Sequence, residues 1–201
     1  MVTTVVDYGA GNLRSAARAL AAAGAGDVDI TSDPGRIAAA DRIVLPGVGA
    51  FAQCITALRH ATGIEAALAD AVQGRQVPFL GICVGMQLLA SKGHEHGVHR
   101  GLGWLPGTVT RLMPDDPTLK IPHMGWNRVS AANASGLAEG DAYFVHSYRF
   151  DPDDAADVRA TSDHGGVFPA IVARGNITGV QFHPEKSQAY GLAFLKNWLD
   201  S

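Results

Sequence analysis

The chain has 201 residues, 47% apolar and 17% charged, with a formal net charge of −3. That composition excludes a disordered chain and leaves ample length for a hydrophobic core. The absence of a Lys/Arg cluster excludes a nucleic-acid surface, and no apolar run approaches the ~20 residues a membrane span requires.

In chain order, the first half alternates strand and helix. Thr4–Val6 predicts a strand, Leu13–Leu20 an alanine-rich helix, and Val28–Ile30 and Arg42–Leu45 further strands. A helical pattern runs from Ile64 to Val72, and Pro78–Leu80 continues the strands. Such alternation predicts a parallel sheet covered by helices. The second half differs. Gly107–Leu112 and Ala142–Val145 are separated by turn-rich pieces and predict antiparallel strands, before a closing helix over Tyr190–Leu199. The expectation is a single α/β domain over residues 1–201, flavodoxin-like, with an antiparallel extension in its C-terminal half. Met1–Thr4 runs straight into a strand, so no signal peptide is expected. Two cysteines make no disulfide framework, and a reducing cytoplasm is expected.

The segment Gly81-Ile82-Cys83-Val84-Gly85-Met86-Gln87 carries the chemistry. It is a G-x-C-x-G elbow after an apolar strand, and Gln87–Ala90 predicts the start of a helix behind it. Small residues flank the nucleophile at such a bend because the backbone passes close to it. A helix N-terminus there favours thiolate over thiol. The thiolate needs a base, and the base an orienter. Val180-Gln181-Phe182-His183-Pro184-Glu185 offers both: Pro184 biases His183 toward extended geometry, where residues two apart point to the same side. Glu185 can then fix the imidazole of His183.

GICVGMQLL with a later QFHPE resembles the class I (triad) glutamine amidotransferases. Pro46-Gly47-Val48-Gly49, Pro122-His123-Met124-Gly125-Trp126-Asn127, His183-Pro184-Glu185-Lys186-Ser187-Gln188 and Asp7–Asn12 narrow the likeness to the glutaminase subunits of imidazole glycerol phosphate synthases, across essentially the whole chain. The resemblance implies the class I amidotransferase fold, with Cys83 as nucleophile, His183 as base and acid, and Glu185 as orienter. It implies a backbone oxyanion hole from Val84 and Val48, and glutamine contacts at Gly49, Gln87, Ser147 and Tyr148. One oxyanion donor is typically worth roughly 10²–10³ in turnover, enough to act as a switch. It further implies a (β/α)₈-barrel cyclase partner in a heterodimer, faced by Asn12, Trp126, Tyr143 and Lys186. No cofactor, metal, nucleic acid or membrane enters this reading. Where the family's elbow usually has leucine, this chain has Val84, a change at a position that contributes only its N–H.

Several residues invite other readings. A free-standing cysteine hydrolase shares the elbow and histidine, though Gln87 speaks against it. Asp7–Asn12 begins like a dinucleotide fingerprint, but Arg14 stands where the last glycine belongs. His94, His96 and His99 invite a metal site, yet their glycines point to a surface loop. His146 is given no catalytic role, and Cys54 is expected to be a packed, inert thiol.

Overall fold

The computed structural model describes residues 1–131 and 138–201. The strands are β1 (Val2–Val6), β2 (Asp27–Thr31), β3 (Arg42–Gly47), β4 (Phe79–Cys83), β5 (Lys92–Gly93), β6 (His99–Arg100), β7 (Gly107–Arg111), β8 (His123–Ala131), β9 (Gly140–His146), β10 (Tyr148–Pro152), β11 (Val158–Asp163), β12 (Val167–Arg174) and β13 (Ile177–Val180). The helices are α1 (Leu13–Ala22), α2 (Pro34–Ala38), α3 (Phe51–His60), α4 (Ile64–Ala69), α5 (Val84–Gln87) and α6 (Gln188–Leu199).

The main sheet has the order β2-β1-β3-β4-β13-β12-β11-β8-β9, and a smaller one the order β10-β7-β5-β6. β2, β1, β3, β4 and β13 run parallel. Taking β13 as the fifth strand, this is the 2-1-3-4-5 order of a flavodoxin-like sheet. Beyond β13 every neighbour is antiparallel, which is the expected extension. The central strands are apolar on both faces because helices cover both sides: every residue of β4 is buried, as are the last five of β3. α1 packs with α6, and α4 with α2 and α3.

The helix expected over Ile64–Val72 differs from its sequence pattern. The Ile64 helix is α-helical only to Ala69 and widens into a π-helical turn over Asp70–Gly74. In the antiparallel half the core is aromatic, with Phe144 edge-on to both Phe168 and Phe182. Truncating such a ring typically costs about 3–5 kcal/mol. The parallel order has one further consequence. The ends of β1, β3, β4 and β13 share one edge, so the loops after Val6, Gly47, Cys83 and Val180 meet there.

Candidate active site

Cys83 is the last residue of β4 and has φ 55°, ψ −112°, backbone angles that a side-chain-bearing residue rarely adopts. Such strain costs about 1–3 kcal/mol and persists only where the surroundings enforce it. The enforcement is close packing. A Cβ at Gly81 would sit 2.5 Å from the Gly85 carbonyl oxygen, and one at Gly85 would collide with the Leu45 carbonyl. The elbow is thus wedged against β3, whose Gly47 pairs with Cys83.

The helix behind the elbow corrects the sequence expectation. α5 has four residues, Val84–Gln87, and ends where the sequence pattern has it begin. The carbonyls of Leu88, Leu89 and Ala90 are taken by the N–H groups of Leu102, Leu105 and Gly103, so no helical ladder continues. A single turn carries little macrodipole. The neighbouring side chains therefore matter more to the thiol than the helix does.

His183 follows the adjacent strand by three residues, β13 pairing with β4 through Val180 and Ile82. His183 is extended, but Pro184–Lys186 is a 3-10 turn and not the extended run expected. The turn brings Glu185 back to the ring all the same: Nδ1 of His183 lies 2.8 Å from Glu185 Oε1, and both side chains are 3% exposed. The backbone there is pinned, His183 N–H donating to the Tyr143 carbonyl at 2.9 Å and Ser187 Oγ to the His183 carbonyl at 2.7 Å.

Burial alone lowers the basicity of His183. Hydrogen bonding and charge from Cys83 and Glu185 more than offset it and raise the ring to about 10. Nε2 is close enough to Cys83 to be influenced by it, but makes no hydrogen bond of ordinary geometry. A charged imidazole with a free N–H beside the Cys83 sulfur is the acid that a departing amine requires.

A cavity of about 300 Å³ opens over the thiol. Cys83, Val84, Val48, Gly49, Gln87, Ser147, Tyr148 and His183 all line it, which gathers the sequence-assigned nucleophile, base, oxyanion and substrate residues around one space. Glu185 stands behind His183, outside it. Gln87 Nε2 donates to the Tyr148 carbonyl and to Gln181 Oε1, each at 3.0 Å.

The four residues expected to face a partner lie apart from the cavity. Trp126 and Tyr143 are register partners on β8 and β9, with rings edge-on at 6.2 Å, and Lys186 Nζ lies 5.6 Å above Tyr143. Trp126 is 51% exposed, which removes core packing as its role. Asn12 is exposed and precedes α1 without capping it through its side chain.

Two site residues were missed in the sequence. Gln181, fully buried, places Nε2 3.7 Å from Cys83 Sγ. Its signal was its place inside the histidine motif. Glu95 lines the cavity and accepts from the Phe51 N–H at 2.6 Å, at the start of α3. Its signal, a carboxylate among three histidines, pointed toward metals instead. Among the described residues no group of three or more His, Cys, Asp or Glu side chains is arranged to hold a metal ion.

Cys54 adds one detail to its expected packing. It is buried, as expected, but its thiol donates to the Val48 carbonyl at 3.2 Å, while Tyr8 Oη donates to the Pro46 carbonyl at 2.9 Å. Both bonds hold the loop that carries Val48, the expected oxyanion donor.

A strained cysteine elbow, a histidine–glutamate pair and a flavodoxin-like sheet define a cysteine amidase class, and comparison agrees: the chain belongs to the class-I glutamine amidotransferase family, whose model matches residues 4–200. It is an enzyme of that class. Within it the chain falls among the imidazole glycerol phosphate synthase subunits HisH. It is 55% identical over 200 residues to HisH of Zymomonas mobilis subsp. mobilis, covering 98% of this chain and 94% of the relative. To HisH of Caulobacter vibrioides it is 53% identical over 206 residues, covering 98% and 96%. The fold matches a crystal structure of a glutamine amidotransferase with a TM-score of 0.77 at 19% identity, over 98% of this chain and 99% of that one. No helix among the described residues is long and apolar enough to cross a membrane.

Proposed function

We propose that the chain, as one domain over residues 1–201, is the glutaminase subunit of an imidazole glycerol phosphate synthase. It hydrolyses glutamine to glutamate and passes the ammonia to a (β/α)₈-barrel cyclase, a step of histidine biosynthesis, in the cytoplasm. The observation that carries this reading is the strained Cys83 beside a His183–Glu185 pair at 2.8 Å, at the base of a cavity lined by Gln87 and Tyr148.

The Cys83 thiolate, paired with the charged His183 ring, attacks the side-chain amide carbon, forming an S–C bond and a tetrahedral oxyanion met by the N–H groups of Val84 and Val48. The C–N bond breaks as His183 Nε2 gives its proton to the departing ammonia. His183 then takes a proton from water, whose oxygen attacks the thioester carbon. The C–S bond breaks, and glutamate and the thiolate are released. Glu185 keeps Nδ1 protonated throughout, so that Nε2 is the atom that exchanges protons. Gly49, Gln87, Glu95, Ser147 and Tyr148 are the groups available to glutamine's α-amino and α-carboxylate ends. Asn12, Trp126, Tyr143 and Lys186 face the cyclase, and the half-exposed indole beside a lysine-capped tyrosine is the kind of anchor that interfaces favour.

The test is glutamate release from glutamine by the purified chain, alone and with the cyclase carrying its nucleotide ligand. A large rise in the loaded complex is the expected result. A high rate indifferent to the cyclase would keep the triad and reject the partner.

A further inference from the structure

Behind the Tyr148 wall of the cavity lie histidines that none of these steps uses. Two of them, His123 and His146, are buried. The direction of their hydrogen bonds follows from one end. The Tyr148 carbonyl oxygen only accepts, so Nδ1 of His146, at 2.9 Å, carries a proton. Burial pushes His146 down to about 3, so the ring is neutral and its Nε2 accepts. Nδ1 of His123, 3.0 Å from that Nε2, therefore donates. His123 is also neutral, pushed down to about 4 by burial and by His164, whose ring is stacked on it at 4.1 Å. Its Nε2 is left to accept from Asn127 Nδ2 at 3.2 Å.

The Asn127 amide is itself held one way round. Nδ2 also donates to the Asp163 carbonyl at 2.6 Å, and Oδ1 accepts from the Arg128 N–H at 2.8 Å. Asn127, His123, His146 and the Tyr148 carbonyl thus form a line of hydrogen bonds with a single direction. The carbonyl at its end is the same one that holds Gln87.

We propose that His123 is a positioning residue for glutamine: by locking His146 as its Nδ1–H tautomer, it fixes the Tyr148 carbonyl, and through it Gln87, at the wall of the substrate cavity. His146 lines that cavity and His123 does not, so His123 acts only through its neighbour. The proposal rests on the glutaminase reading and adds to it a residue with no contact to substrate. Because Gln87 and Tyr148 touch the cavity wall and not the reacting atoms, the effect belongs to binding.

The test compares glutamate release by wild type, His123→Phe and His123→Asn in the assembled synthase. Phenylalanine keeps ring packing against Phe144 and Phe168 but deletes both hydrogen bonds. Asparagine offers a donor near the Nδ1 position. The expected result is a KM for glutamine raised about tenfold in His123→Phe with kcat within about threefold, and most of the loss recovered in His123→Asn. Should His123→Phe not fold, Asn127→Ala removes the donor to Nε2 from a half-buried site, and a KM rise of about threefold is expected there. An unchanged KM in folded variants overturns the proposal while leaving the glutaminase reading intact. A wild type that releases no glutamate sinks both. Long-range ¹H–¹⁵N spectra of the free chain at pH 7 give a readout independent of turnover: both rings are expected neutral with the proton on Nδ1, and an Nε2–H or charged form of either overturns the assignment.

Discussion

The Cys54 thiol donates to the Val48 carbonyl across 3.2 Å, tying the first turn of α3 to the loop that carries the proposed oxyanion donor. The bond grips the peptide just after the Val48 N–H, so swinging that loop works against it. Cys54→Ala is expected to raise glutamate release by the partner-free chain about threefold to tenfold, the worth of one hydrogen bond. The rate in the loaded complex should change less. Steady-state glutaminase assays with and without the cyclase check this, and an unchanged basal rate would reduce Cys54 to packing.

The triad roles separate by substitution. Cys83→Ala is expected to abolish glutamine-dependent synthesis while ammonia-dependent synthesis by the complex survives. His183→Asn should cost roughly 10²–10⁴ in turnover, since it removes the proton carrier. Glu185→Gln should cost less, because an amide oxygen can still accept from Nδ1 of His183 at the same place. Equal losses for the last two would break the division between carrier and orienter.

Stability should peak near pH 6.5, and the histidines give the sign on both sides. His183, raised to about 10 in the folded chain against 6.5 unfolded, adds stability that is complete below 6.5 and is lost as pH rises toward 10. His123 and His146, lowered to about 4 and about 3, resist protonation that the unfolded chain accepts, so stability falls as pH drops below 6.5. Each full proton of difference tilts stability by about 1.4 kcal/mol per pH unit. Urea denaturation across pH 4 to 10 measures the profile, and Glu185→Gln should flatten its alkaline limb alone.

Trp126→Ala should leave folding nearly untouched, because the indole is half exposed, while weakening association with the cyclase by more than about 1 kcal/mol. Thermal melts paired with titration calorimetry separate the two effects. A large loss of melting temperature with unchanged affinity would give Trp126 a structural role instead.

Much of this architecture was legible in the chain. The parallel strands announce themselves as short apolar runs because helices bury both their faces, and the elbow as glycines because backbone approaches backbone there. The extent of α5 was not legible. Whether Leu88–Ala90 continue a helix depends on where Leu102–Leu105 dock, a contact more than ten residues away. Glu95 and Cys54 were equally hidden, since their partners are backbone groups that a residue pattern does not display. His183 and Glu185 were paired correctly through the wrong local geometry: an extended run and a 3-10 turn both bring the two side chains together.

The pairing of β13 with β4 brings residue 183, three positions past the end of β13, beside residue 83 at the end of β4, although a hundred positions of chain separate them. During synthesis the ribosome therefore releases the proposed nucleophile long before its proposed base. A truncated product carries a thiol with no base and no glutamate behind it. On the proposed mechanism reactivity waits for the residues that follow β13, so fragments that stop before His183 lack the pair that would let them consume glutamine.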